Sequence, residues 1–141
     1  MQVDTRLEAL LGDHGRGVLA TLKSDGRPQL ATIDFCYDAS TRVARMSTVD
    51  GSAKVANLRR DARASLYVGT PDLASYAVAE GEAKLSAVSD AADDATVEEL
   101  IDVYRRIRGE HPDWDDYRAA MVRDRRLVVR LHVSRCYGLV R

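Results

Sequence analysis

The sequence predicts a mainly β domain, a small antiparallel barrel of six strands with its helices packed on the outside. Apolar residues alternate with period two in successive runs, and turn signals such as Asp25-Gly26, Asp38-Ala39-Ser40-Thr41 and Thr70-Pro71-Asp72 separate them. Helical spacing appears in only four stretches, two of which fall together just before the last strand. A chain of 141 residues is expected to be one domain, spanning 1–141, that buries a core without cross-links.

Residues 4 to 12 place Leu7, Leu10 and Leu11 at helical spacing behind a candidate Asp4 cap, and Gly12 is expected to end that helix, which covers one mouth of the core. Strands follow over 17–23 and 29–37, joined at Asp25-Gly26, with Pro28 tolerated at a strand start. A third strand over 42–48 completes an antiparallel meander. The next helix begins after Ser52 and buries Val55 and Leu58; a fourth strand covers 62–68 and a fifth 75–85. Gly81, inside that fifth strand, marks a bulge or a close backbone approach. The clearest helix runs over 93–108 with Val97, Leu100, Ile101, Tyr104 and Ile107 on one stripe, acids first and arginines last, as the helix dipole favours. A shorter helix opens at Asp113 with Trp114, Tyr117 and Met121 as core, and the final strand covers 126–139. So small a barrel has little interior room, so a ligand is expected outside it or between two copies.

A net charge of −1 argues against a general nucleic-acid binder, which needs a basic excess to neutralise phosphates. Charge is nonetheless uneven. Residues 52–64 hold Lys54, Arg59, Arg60 and Arg63 against Asp61, whereas 80–102 are strongly acidic. Cys36 and Cys136 form no metal or redox pattern and are expected to be buried thiols, and His14, His111 and His132 do not converge on a metal site. No run approaches the ~20 apolar residues that span a bilayer, and no signal-peptide core opens the chain, so no membrane partner is expected and the expected compartment is the cytoplasm. Phosphate-loop, dinucleotide, nucleophile-elbow and zinc-protease motifs are missing.

The segment from Ser47 to Arg60 has the form of an anion site. A strand end, Ser47-Thr48, leads through the turn residues Asp50-Gly51 to Ser52, a favourable helix cap, and the free N–H groups of Ala53 and Lys54 project from the positive end of the helix. A lysine in a first helical turn opposes the dipole, and a nearby negative ligand would explain it; an ordinary solvated helix start is the alternative. Arg59 and Arg60 lie off Lys54's face. An anion cradle on a barrel with no acid–base pair suits a redox cofactor that carries its own chemistry.

Four stretches carry a family resemblance: Gly17-Val18-Leu19-Ala20-Thr21 through Gly26-Arg27-Pro28-Gln29-Leu30; Ala53-Lys54 with Asn57-Leu58-Arg59-Arg60-Asp61; Ser75-Tyr76-Ala77-Val78-Ala79-Glu80-Gly81; and Trp114-Asp115-Asp116-Tyr117-Arg118. In this order and spacing the chain resembles the pyridoxamine 5'-phosphate oxidase-like split β-barrels, in the branch that uses the deazaflavin coenzyme F-420. The resemblance implies a homodimer with two cofactor sites at its interface. It implies that Ser47, Thr48, Ser52, Ala53 and Lys54 hold the cofactor phosphate, that Gln29, Ala31 and Thr32 run along the ring system, and that the partner chain contributes Ser75 and Tyr76. The implied reaction is hydride transfer from reduced deazaflavin to a polarised double bond in a small organic acceptor of enone, quinone or tetrapyrrole type. FMN is the alternative cofactor, and a non-catalytic deazaflavin carrier the alternative role. No catalytic side chain is identified; Tyr76 and bulk water are the candidate proton donors. Ser52 stands where relatives often carry a basic residue, which removes one phosphate partner, and Leu73-Ala74 stand where an aromatic is often found, which opens the wall over the ring. Arg130, His132 and Arg135 do not reproduce the substrate-phosphate clamp of the true oxidases, which argues against pyridoxamine phosphate oxidation.

Overall fold

A computed structural model describes residues 3–141. Its elements are α1 (Thr5–Asp13), β1 (Arg16–Leu22), β2 (Pro28–Asp34), β3 (Cys36–Asp38), β4 (Val43–Val49), α2 (Ala53–Arg60), β5 (Arg63–Gly69), β6 (Tyr76–Leu85), α3 (Ala95–Arg108), α4 (Trp114–Arg123) and β7 (Arg126–Leu139). All strands join one antiparallel sheet in the order β2-β1-β5-β6-β7-β4-β3, curled into a half-barrel. Among the described residues, no helix is long and apolar enough to cross a membrane.

The sheet has seven strands where six are expected, because the run over 29–37 breaks at Phe35. The Phe35 side chain is almost fully buried and its N–H donates to the Gly15 carbonyl, which turns the chain out of β2 and into β3. The meander is not formed either. β3 and β4 make a hairpin of their own, and β4 pairs with β7, which leaves β2 and β3 at opposite edges of the sheet. Gly12 does not end α1, which continues to Asp13. Gly81 behaves as its position predicts: the register of β6 on β7 shifts between Glu80 and Gly81, and a Cβ there would lie 1.9 Å from the His132 carbonyl oxygen.

The concave side is filled by Leu19, Phe35, Met46, Leu66, Val68, Leu127, Val129 and Leu131, closed at one end by Leu7 and Leu11 of α1. A second core lies on the other face of β7, where Val128 packs under Val97, Leu100, Ile101 and Val103 of α3 and Tyr117 and Met121 of α4. β7 is therefore covered on both faces in this region, with Arg126, Val128 and Arg130 turned toward the helices. Ion pairs dock this layer: Glu99 accepts from Arg130 and Arg45, and Asp102 accepts from Arg45 and Arg106.

The outward face of the sheet is apolar. Leu30 is 66% exposed and Tyr137 44%, and with Val18, Tyr67 and Val78 they line a shallow depression, beside which Tyr76 stacks on Tyr67 at 5.5 Å. Cys36 and Cys136 are free and half-buried, not fully buried as expected, and desolvation pushes both thiols up.

Candidate functional site

The incomplete closure of the barrel creates the site. One edge of β4 pairs with β7 along its whole length, but the other pairs with β3 only at Val43, Ala44 and Arg45. Beyond Arg45 that edge is open where it approaches β2. Between them lies a cleft of about 540 Å³, within the range of roughly 300–1,000 Å³ common for small-molecule sites.

One end of the cleft is cationic. Ser52 caps α2 by accepting from the Val55 N–H at 3.4 Å, and its hydroxyl also accepts from Thr48 at 3.2 Å. That cap fixes the start of the helix, whose first N–H groups have no intrahelical acceptor. Lys54 projects from this turn into the cleft, half-buried, with no carboxylate within 4 Å among the described residues. The other cations of the basic stretch are engaged. Arg59 pairs with Asp50 at 2.6 Å, Arg60 donates to the Leu22 carbonyl and to Asn57, and Arg63 pairs with Asp61. Arg126 enters the same end from β7 and donates to the Ser47 hydroxyl at 3.3 Å.

The opposite wall is apolar and aromatic, formed by Val103, Tyr104 and Ile107 of α3 with Tyr117 and Met121 of α4. Tyr104, His111, Trp114 and Tyr117 pack edge to face or tilted at 5.1 to 5.7 Å, and Arg105 lies over the Trp114 ring. Tyr117 donates its hydroxyl proton to the Leu100 carbonyl at 3.0 Å, and burial pushes that phenol up to about 12. Its proton is committed, so Tyr117 is a wall and not an acid. Across the mouth, Asp34 at the end of β2 accepts from Arg108 at 2.6 Å and from Arg16 at 2.8 Å.

Of the residues expected at the site, Ser47, Thr48, Ser52, Lys54 and Thr32 line this cleft. Ala53 stands beside it, exposed on the first turn of α2. Gln29 and Ala31 alternate with Thr32 and so face inward: Gln29 accepts from the buried Asn57 amide at 3.0 Å and Ala31 packs on the core. Tyr76 lies on the outward face of the sheet, away from the cleft of its own chain, and Ser75 is buried with its hydroxyl accepting from the Arg141 N–H at 2.9 Å. The sequence reading did not name Arg126, Arg108 or Tyr104 as site residues. Tyr104 and Arg108 are visible as parts of α3, and Arg126 shares the alternation of Arg130, but only the β4–β7 register carries Arg126 over Ser47.

Comparison with known proteins agrees with this architecture. The family profile described as pyridoxamine 5'-phosphate oxidase matches residues 3–139. The chain belongs to the pyridoxamine 5'-phosphate oxidase family. A relative is the F420H(2)-dependent biliverdin reductase of Mycobacterium tuberculosis (strain CDC 1551 / Oshkosh), 30% identical over 130 residues that make up 92% of this chain and 83% of the relative. Among solved structures, a conserved hypothetical protein from Mycobacterium tuberculosis superposes with a TM-score of 0.73 at 22% identity, covering 98% of this chain and 84% of that one. An F-420 reductase superposes with a TM-score of 0.69 at 23% identity, covering 96% and 98%. These two structures share the fold. In this pyridoxamine 5'-phosphate oxidase-family barrel, the split is the opening between β2 and β4, with Lys54 and the cap of α2 lining it.

Proposed function

We propose that this chain is a coenzyme F-420-dependent reductase that delivers hydride to a polarised double bond in a small organic acceptor of enone, quinone or tetrapyrrole type. The observation that carries this reading is Lys54, a half-buried cation without a carboxylate partner among the described residues, set between the cap of α2 and the hydroxyls of Ser47 and Thr48. Such a group fits a phosphate, through a charge-assisted hydrogen bond worth about 1.5–3 kcal/mol. The relative named as an F420H(2)-dependent biliverdin reductase supports the choice of deazaflavin. When bound, the reduced deazaflavin supplies the hydride.

The chain's own residues bind and enclose. Lys54, Ser47 and Thr48 hold the phosphate, while Tyr104, Ile107 and Met121 present an apolar wall that keeps water from a planar ring. The Asp34–Arg108 pair bounds the mouth.

The reading includes a homodimer formed through Leu30, Tyr67, Tyr76 and Tyr137. Thr32 lines the cleft and Leu30, two residues earlier on the same face of β2, lines the outward depression, so a second copy seated there would border the cleft. In that arrangement Tyr76 reaches the ring from the partner copy.

A fluorescence titration with oxidised coenzyme F-420, with FMN in parallel, tests the reading, followed by anaerobic oxidation of the reduced coenzyme with biliverdin, a quinone and an enone. Saturable micromolar or tighter binding with FMN weaker, and turnover of one acceptor, is the expected result. A preference for FMN moves the protein to the flavin branch, and tight deazaflavin binding with no turnover makes it a carrier.

A further inference from the structure

Five arginines of this chain are half-buried: Arg42, Arg45, Arg118, Arg126 and Arg130. Four of them face a carboxylate. Arg42 lies 3.8 Å from Glu8, Arg45 reaches Asp102 and Glu99, Arg118 lies 2.6 Å from Glu98, and Arg130 pairs with Glu99. Arg126 has no carboxylate within 4 Å among the described residues, and its one side-chain bond is to the neutral Ser47 hydroxyl. Lys54 is the sole half-buried lysine, since Lys23 and Lys84 are exposed, and it too lacks a counter-charge. Both unpaired cations line the same cleft.

Partial desolvation of two like charges in one cleft is unfavourable unless an anion joins them. The carboxylates nearby do not fill that place: Asp34 is engaged by Arg16 and Arg108, and Asp124, exposed at the rim, lies against Arg123 at 3.4 Å. We infer that Arg126 is a second phosphate-binding cation, acting with Lys54 from the opposite side of the open end of β4, and that it sets the site's preference for phosphorylated over phosphate-free ligands. This rests on the cleft being the phosphate site proposed above. The guanidinium's planar donors suit two phosphate oxygens at once, whereas Lys54 offers a point charge. The register explains how it arrives there. Arg126 is the first residue of β7, opposite Val49, and its face of the strand is that of Ser47's neighbour Val128, so its side chain lies along the helical side of β4. The Arg126–Ser47 bond then holds the guanidinium at the cleft. Ser52, which offers the phosphate a hydroxyl but no charge, is complemented by this cation from a distant part of the sequence.

The test measures affinity for phosphorylated and phosphate-free ligands in pairs: coenzyme F-420 against the same deazaflavin truncated at its ribityl chain, and FMN against riboflavin. For Arg126→Gln we expect about tenfold weaker binding of the phosphorylated member, a change below about twofold for its phosphate-free partner, and a smaller loss for Arg126→Lys. Thermal melting of each variant reports whether the fold is kept. Unchanged affinity of Arg126→Gln for the phosphorylated ligand overturns the inference, as does an equal loss for both members, which marks a purely structural role. Wild type that binds FMN but not F-420 overturns the deazaflavin reading alone, and the FMN–riboflavin pair then decides on Arg126. Wild type that binds neither phosphorylated ligand overturns both.

Discussion

Asp34 and Arg108, 74 residues apart in sequence, meet at 2.6 Å across the mouth of the cleft and join the free edge of β2 to the last turn of α3. The carboxylate is shared with Arg16, so the contact also ties in the start of β1. It is a partly exposed pair and so contributes little to global stability, about 0–1 kcal/mol. Its effect should be local. Arg108→Ala is expected to leave the melting temperature nearly unchanged while accelerating amide exchange at Thr32, Ile33 and Asp34, as hydrogen-exchange mass spectrometry would report.

Lys54→Ala should weaken binding of coenzyme F-420 at least about tenfold, or ~1.4 kcal/mol, and leave the fold intact. Titration of the folded variant with no change in affinity would falsify the role given to the first turn of α2.

Asn57 is buried, and its amide donates to both the Thr21 hydroxyl at 3.1 Å and the Gln29 side chain at 3.0 Å, which pins α2 to the β1–β2 hairpin. Replacing it with alanine strands the Thr21 hydroxyl in a dry environment and frees Gln29. The expected cost is about 1–3 kcal/mol in urea unfolding. A variant as stable as wild type would show that water replaces the amide without loss.

Glu99 is held below the ordinary glutamate range, first by its hydrogen bond from Arg130 and then, against burial, by the charges of Arg130 and Arg45. A carboxyl group whose folded-state pKa is depressed adds stability that is complete above its unfolded value and is lost as pH falls through the folded value. Glu99→Gln, which takes away the carboxylate facing Arg130 while Arg45 keeps Asp102, is expected to cost about 1–3 kcal/mol at neutral pH, since the Arg130 end of the pair is partly exposed to solvent. The difference from wild type should begin to shrink as pH falls below the ordinary glutamate value of about 4.3, where the unfolded chain takes up a proton first, and should be lost as pH passes through the lower folded-state value. Melting curves of both proteins between pH 7 and pH 3 measure this, and a difference that stays constant with pH would count against an ionic role.

Leu30→Glu places a charge in the middle of the outward apolar face. If that face joins two copies, the variant should sediment as a monomer and bind F-420 more weakly, although Leu30 does not line the cleft of its own chain. An unchanged sedimentation coefficient would remove this face as the interface.

Local signals carried much of the fold. The stripe of Val97, Leu100, Ile101 and Tyr104, with acids leading and arginines trailing, sets α3 within two residues of its observed bounds, and Ser52 caps α2 as its type and place suggest. What sequence pattern does not encode is which strands become neighbours. The pairing of β4 with β7 joins residues about eighty positions apart, and the alternation through Phe35 looks continuous until the Gly15 carbonyl captures its N–H. The site divides in the same way. Lys54 is legible because a cation in a first helical turn violates a local rule, whereas Arg126 obeys every local rule of a strand and becomes conspicuous only when its neighbours lack a carboxylate.

The double covering of β7 also bears on how the protein could be re-engineered. Its helical face reads Arg126, Val128, Arg130, a stripe with one apolar member, whereas its concave face reads Leu127, Val129, Leu131. The helical hairpin is thus an annex on a largely hydrophilic strand surface, and the main apolar core continues without it. Exchanging residues 95–123 for another helical pair would replace the Tyr104, Ile107 and Met121 wall, and with it the enclosure proposed for the ring, while Ser47, Thr48, Lys54 and Arg126 lie outside the exchanged segment.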